Sequence, residues 1–276
     1  MPEGPEIRRA AIEVAAAVEG KTALSIQFGQ EKLQHWGPTL SGRKVLAIET
    51  RGKAMLTRLD NGYAIYTHNQ LYGRWYCVPA GKLPETHRTL RLSIHTRDQW
   101  ALLYSASDIA VITDSAIETH PFLAKLGPDV LDLRTTPEVI EARLLDKAFR
   151  RRRLGNFLTD QRFVAGLGNY LRCEILYSAQ LSPARKPGEL DPSTRSLLAR
   201  LIVELPRQSL ETAGITNDPV HAQALLDSGA TYEAARFLVF RREGEPCYRC
   251  GHPIRKIRSA GQACYVCPSC QRTSAD

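Results

Sequence analysis

Four cysteines near the C-terminus constrain this chain more than any other feature of it. Cys247-x-x-Cys250 is followed, after sixteen residues, by Cys267-x-x-Cys270. Thiols at that spacing form two tight knuckles, and together they fit a four-thiolate tetrahedral site for one structural zinc. Gly251 and Pro268 stand directly after the second and third of these cysteines, where such knuckles turn. A redox dithiol pair is the other chemistry open to two CxxC steps. Cys264 is a spare thiol, and Cys77 and Cys173 read as buried packing thiols. A closed zinc site holds a hairpin together and does no chemistry itself. Arg249, Arg255, Lys256 and Arg258 make this hairpin basic, which suits phosphate contacts, although zinc ribbons also dock proteins.

The chain has 276 residues, enough for two domains at roughly 150 residues each. Lys and Arg total 37 against 29 Asp and Glu, a net charge of +8 that favours a polyanionic partner such as nucleic acid. No apolar run approaches the ~20 residues that span a bilayer, so no membrane partner is expected. The start, Met1-Pro2-Glu3-Gly4-Pro5-Glu6, is polar and has no signal-peptide pattern. A cytoplasmic protein with reduced thiols is expected.

Pro5 suits a first helical turn, and Ile7, Ala11, Val14 and Val18 repeat at helical spacing up to Gly20. An amphipathic helix therefore pins the N-terminus to a core. Short β segments follow at 45–50, 55–59, 63–67, 90–94 and 101–104, with Asp60-Asn61-Gly62 as a hairpin turn. Such strands suggest a sandwich or barrel. Pro121, Gly127-Pro128 and Pro137 then mark a change of pattern. Helices are predicted from Thr136-Pro137-Glu138 and over 154–158, 169–177 and 197–205, while 211–235 reads as a loop. The fold class is α+β: an N-terminal β-sandwich domain over 1–126 with a flanking helix, a helical domain over 127–237, and a zinc-finger hairpin over 238–272.

A β-rich domain, helices and a four-cysteine finger in this order are a rare combination. With Pro2-Glu3, Arg51-Gly52-Lys53, His68-Asn69-Gln70-Leu71-Tyr72-Gly73 and Gly166-Leu167-Gly168-Asn169-Tyr170, nearly the whole chain resembles the formamidopyrimidine-DNA glycosylase and endonuclease VIII family. Gly4 and the Gln70-Leu71-Tyr72 triplet are similar to the endonuclease VIII branch. That branch removes oxidised pyrimidines, whereas its sister prefers oxidised purines. The resemblance implies base excision repair of damaged double-stranded DNA by a monomer, associated with the nucleoid. It also implies a helix–two-turns–helix element in the helical domain and a Schiff base on Pro2, with strand cleavage by β,δ-elimination.

The chemistry suits the residues. A Schiff-base amine must be neutral to attack the anomeric carbon. An α-amino group has a pKa of about 7.7–8.0 against about 10.4 for lysine, an upper bound on the advantage because proline's secondary amine is more basic. Its iminium has no N–H proton to lose, so it persists as an electron sink through successive eliminations. Removal of Met1 is required, and a small second residue permits it. Glu3 is placed to protonate the sugar ring oxygen, or simply to favour a helix N-terminus. Glu6 reads as helix support.

The resemblance implies that Lys53 holds a phosphate beside the lesion and assists elimination; by itself it is a turn lysine. Gln70, Leu71 and Tyr72 fit a wedge that fills the gap left by a flipped base, though Leu71 alone would read as core. His68, Lys125 and Asn169 match phosphate contacts, and Asn169 also reads as an N-cap. The run Arg150–Arg153 reads as a solvated face that adds phosphate contacts. Family fingers carry an arginine five residues before the third cysteine, where this chain has Gln262. Arg258, across the turn, is expected to supply part of the missing charge, and δ-elimination is the step placed in doubt. Two other readings stay open: the purine-specific sister activity, and a binding-only protein that recognises lesions without cutting.

Overall fold

The computed structural model describes residues 2–271. Met1 and Arg272, the far end of the predicted finger, lie outside the described residues. The chain divides into two compact units, one ending at Lys125 and one beginning at Leu126.

In the first unit, α1 (Gly4–Val18) begins at an extended N-cap, Glu3, with Pro5 in its first turn. It buries Ile7, Ala11, Val14 and Val18, the predicted stripe. Two antiparallel sheets follow. One has the order β1 (Thr22–Ala23), β3 (Arg43–Arg51), β4 (Ala54–Leu59), β5 (Tyr63–His68), β9 (Asp108–Thr113). The other runs β2 (Ser25–Phe28), β7 (Leu90–His95), β8 (Gln99–Tyr104), β6 (Arg74–Pro79). Val14, Val18, Ile26, Val45, Met55, Leu59, Ile65, Leu92, Ile94 and Leu103 share one core. The opposite face of the larger sheet is covered too: Leu56, Ala64 and Tyr66 pack with Ile117, Phe122 and Leu123. Burial on both faces explains why β4 and β5 read as nearly continuous apolar runs.

The second unit contains α4 (Pro137–Leu145), α5 (Leu154–Phe157), α6 (Asn169–Ser178) and α7 (Pro192–Glu211), after two short helices, α2 (Glu31–Gln34) and α3 (Gly37–Leu40), in the first unit. Thr136 caps α4 by accepting from Val139 N, and Asp191 caps α7 by accepting from Thr194 N. Phe149, Phe157 and Phe163 form an edge-to-face cluster, Phe157 and Phe163 being 4.8 Å apart at 83°. Leu167, Leu171, Ile175, Leu198 and Ile202 complete that core. Residues 211–235 differ from the predicted loop, because they carry α8 (Pro219–Asp227) and α9 (Tyr232–Ala235). Asp218 caps α8 with Pro219 behind it, a start signal with almost no apolar stripe after it: Ala222 alone is buried.

The finger is a hairpin of β10 (Arg255–Ser259) and β11 (Gln262–Val266). It lies on α6, and Cys173, Tyr177, Val239, Ile254, Cys264 and Val266 share one small core. Phe157→Ala should therefore destabilise the helical part by about 3–5 kcal/mol, measured by urea unfolding. A loss below about 1 kcal/mol would contradict this packing.

Candidate functional site

At the N-terminus, Pro2 is half-buried and Glu3 is 1% exposed, although both precede the first helical residue. The Glu3 amide donates to Glu6 Oε2 at 3.0 Å, and the Ile7 amide to the Glu3 carbonyl at 3.0 Å. The terminus is thus held in place. Lys53, some fifty positions along, lies in the β3–β4 turn. Burial pushes its ammonium below the usual lysine value, and the Glu3 and Glu6 carboxylates oppose that shift. Strand pairing thereby brings Lys53 to the base of α1.

His68 ends β5, opposite Ala54 on one side and Asp108 on the other. Its Nδ1 accepts from the Gln70 amide at 3.1 Å. Burial lowers its pKa, Asp108 works against that, and the Lys53 ammonium adds to it. The ring is therefore neutral at pH 7 with its proton on Nε2, a single donor rather than a cation. Asp108 was not legible as a site residue. It raises the hydroxyl pKa of Tyr66, which burial already pushes up. Tyr66 in turn packs on His120 at 4.4 Å.

Beyond His68 the chain turns sharply. Gln70 is left-handed at φ 50°, uncommon for a residue with a Cβ, and its Oε1 accepts from Ser107 at 2.7 Å. Leu71 and Tyr72 are 53% and 69% exposed, two large apolar side chains held out in water. Gly73 closes the turn, where a Cβ would meet the Asn69 carbonyl at 2.6 Å. Lys125 is exposed at the end of a short 3-10 turn, Leu123–Lys125.

In the second unit, two turns join α5 to α6. Asp160 organises the first, accepting from Arg152 Nη1 at 3.0 Å and from Arg162 Nη2 at 2.9 Å. Gln161 organises the second, donating to the Leu167 carbonyl at 2.8 Å and accepting from the Gly166 amide at 3.0 Å. The N-cap of α6 is Gly168 and not Asn169, which is the first helical residue. The extended φ of Gly168, −137°, leaves Asn169 inside the helix with its side chain free of a capping role. Of the Arg150–Arg153 run, Arg150, Arg151 and Arg153 are exposed, and Arg152 is tied to Asp160.

The four finger cysteines place their sulfurs within 4.8 Å of one another. Cys250 and Cys267 are 3.4 Å apart and Cys247 and Cys270 3.9 Å. A tetrahedron of Zn–S bonds of about 2.3 Å has edges of about 3.8 Å, so the set fits one structural zinc. Tyr177 of α6 lies 3.1 Å from Cys247 Sγ.

At the other end of the hairpin, Ser259 pairs with Gln262 and Arg258 with Ala263. Side chains alternate along a strand, so Arg258 and Gln262 stand on opposite faces. The expectation that Arg258 replaces charge beside Gln262 therefore fails on register. Gln262 shares its face with Cys264, which is buried 3.8 Å from Cys173 of α6. Arg172 and Glu174, also unforeseen, are wholly buried on α6.

A two-sheet unit, a helix–two-turns–helix and a four-thiolate hairpin define a DNA-repair glycosylase architecture. The formamidopyrimidine-DNA glycosylase N-terminal domain profile matches residues 1–107 and that of its H2TH domain 126–219. A zinc-finger profile found in FPG and IleRS matches 244–273. The chain is 46% identical to endonuclease 8 of Salmonella arizonae, over 99% of this chain and 100% of that one. It is equally 46% identical to endonuclease 8 of Enterobacter sp. strain 638, with the same coverage. Among solved structures, Lactococcus lactis Fpg bound to DNA containing N7-benzyl-Fapy-dG superposes with a TM-score of 0.80 at 22% identity, over 99% of this chain and 100% of that one. The chain belongs to the formamidopyrimidine-DNA glycosylase family, alongside endonuclease 8.

The Asp160 carboxylate is held down to about 2, first by its hydrogen bonds to the Arg162 side chain. A depressed carboxylate pKa stabilises the fold above the unfolded value of about 3.9 and loses that contribution as pH falls toward 2. Asp160→Asn should flatten this acid limb in urea melts taken between pH 5 and pH 2. An unchanged limb would place the effect elsewhere.

Proposed function

We propose that this protein, a bifunctional DNA glycosylase and abasic-site lyase of base excision repair, removes oxidised pyrimidines from duplex DNA through a Schiff base on Pro2. The observation that carries the reading is the grouping of Glu3, Glu6 and a burial-perturbed Lys53 at the base of α1, directly beside Pro2.

With Met1 removed, the neutral Pro2 amine attacks the anomeric carbon and the damaged base departs. Glu3 delivers a proton to the ring oxygen as the sugar opens. The resulting iminium withdraws electrons from the chain of sugar carbons, and elimination expels the 3′ phosphate and then the 5′ phosphate. Lys53 grips the phosphate beside the lesion. The neutral His68 ring donates through Nε2 to the backbone. Gln70, Leu71 and Tyr72 enter the stack where the base has left, so the exposure of Leu71 and Tyr72 is a binding surface in waiting. Lys125, Asn169 and Gln262 contact phosphates, and the zinc keeps the hairpin rigid. The protein acts as a monomer.

A second reading is favoured by one observation: burial lowers the pKa of Lys53, which would make it an amine nucleophile. Borohydride trapping on thymine-glycol and abasic duplexes separates the two. The adduct should survive Lys53→Ala and vanish when an uncleaved N-terminal tag blocks the Pro2 nitrogen. Survival with the tag in place and loss in Lys53→Ala would transfer the role to Lys53. No adduct from the unaltered protein would favour a binding-only role.

Gln262 offers a neutral hydrogen bond where a charge-assisted one is about twice as strong. Gln262→Arg should raise the share of product carrying a 3′ phosphate relative to the β-elimination aldehyde, read by sizing the 3′ end on a gel. An unchanged product ratio would remove Gln262 as the determinant of that step.

A further inference from the structure

The guanidinium of Arg172 is fully buried, yet none of its hydrogen-bond partners is a carboxylate. Nη1 donates to the Gly155 carbonyl at 2.8 Å and to the Ser259 carbonyl at 3.2 Å. Nη2 donates to Asn169 Oδ1 at 2.5 Å and to the Ala263 carbonyl at 3.2 Å. Nε has no partner. One planar fork thus joins α5, the first residue of α6 and both strands flanking the hairpin tip. Burying a charge against neutral acceptors alone is costly, so the arrangement calls for a reason beyond packing.

The bond to Asn169 supplies that reason. An arginine is only a donor, so it takes the amide oxygen and leaves the NH2 group to face away. A phosphate oxygen is only an acceptor, and the NH2 is the end it requires. Asn169 Nδ2 has no protein partner among the described residues. The same fork fixes the backbone on both sides of residues 260–262. Gly155 allows this close approach, since a Cβ there would fall 2.4 Å from Ser259 Oγ.

We propose that Arg172 is a positioning residue for nucleic-acid binding: it sets the Asn169 amide with its donors outward and locks the hairpin tip at a fixed offset from it, so that both grip one phosphate run. This rests on the reading that the second unit holds DNA. Arg172 itself touches no nucleic acid, and its charge adds favourable potential beneath the tip.

The test is a double-mutant cycle on the full-length zinc-loaded protein, with a fluorescent duplex bearing a tetrahydrofuran abasic analogue as probe. Hydrogen bonds to charged groups contribute about 1.5–3 kcal/mol, so Arg172→Met should weaken binding by about tenfold or more. In the Asn169→Ala background the same change should weaken binding by a clearly smaller factor, because the residue through which Arg172 acts is gone. On a second duplex carrying a natural abasic site, which the protein can cleave, the half-saturating protein concentration in single turnover should rise by a similar factor. An undiminished factor in the Asn169→Ala background, or unweakened binding in Arg172→Met, overturns the proposal. Should Arg172→Met fail to retain zinc, Asn169→Asp decides with Arg172 intact. It keeps the arginine bond but turns an acceptor toward DNA, so it should bind more weakly than Asn169→Ala; equal or tighter binding overturns the proposal. Borohydride trapping by the unaltered protein reports the Pro2 reading separately, so either idea can fail without the other.

Discussion

Arg172 and Glu174, two opposite charges two residues apart on α6, are both fully buried and do not pair with each other. Glu174 accepts from the amides of Leu238, Val239 and Phe240 at 2.7–2.9 Å and from Thr216 Oγ1 at 2.7 Å. Arg172 collects carbonyls from α5 and from the hairpin tip. One side chain therefore sets the strand of chain entering the finger, and the other sets its far end. Breaking such a network leaves a buried charge without partners, which costs about 3–5 kcal/mol. The zinc staples the knuckles, but α6 decides where the staple sits.

The first unit solves a different problem. A chain terminus usually frays, and an amine proposed as a nucleophile must be held still. Here the first helix begins almost at once, Glu3 is buried as its N-cap, and the Glu3 amide is tied to Glu6. The β3–β4 turn then delivers Lys53 to the same place by strand pairing. In the same unit Leu71 and Tyr72 stand exposed beside a left-handed Gln70.

Much of this was legible in the sequence. Zinc ligands announce themselves by spacing, and α1, α4 and the longer strands by periodicity and caps. Strands β1, β2, β6 and β9 escaped because they are short or alternate weakly; β9 buries only Ile109 fully. Helices α8 and α9 escaped because they bury almost nothing, and their cap residues were the only sign. Asn169 reads as the cap but sits one position inside it, since any residue before a helix that has a short polar side chain looks like a cap. The Arg258 assignment failed because a turn brings residues close in sequence without showing which face they share. Arg172 and Glu174 did leave a trace: Leu171, Cys173, Ile175 and Leu176 surround them, and charges inside an otherwise apolar helix signal buried, partnered groups. Asp108 left none, because its role comes wholly from pairing with His68.

The spare thiols bear on which sulfurs a metal ion can reach. Cys264 lies three positions before a zinc ligand and would compete for the metal in an unfolded chain, as would Cys173. In the folded protein both are sequestered, 3.8 Å apart, in the seam between α6 and β11. The Tyr265 amide points at Cys173 Sγ at 3.4 Å, which fixes the strand against the helix there. The seam between α6 and β11 thus hides two of the six thiols that α6 and the finger share, and the other four are the cluster whose sulfurs gather within 4.8 Å. Concealment and clustering together leave a metal ion a single set of partners in the folded protein.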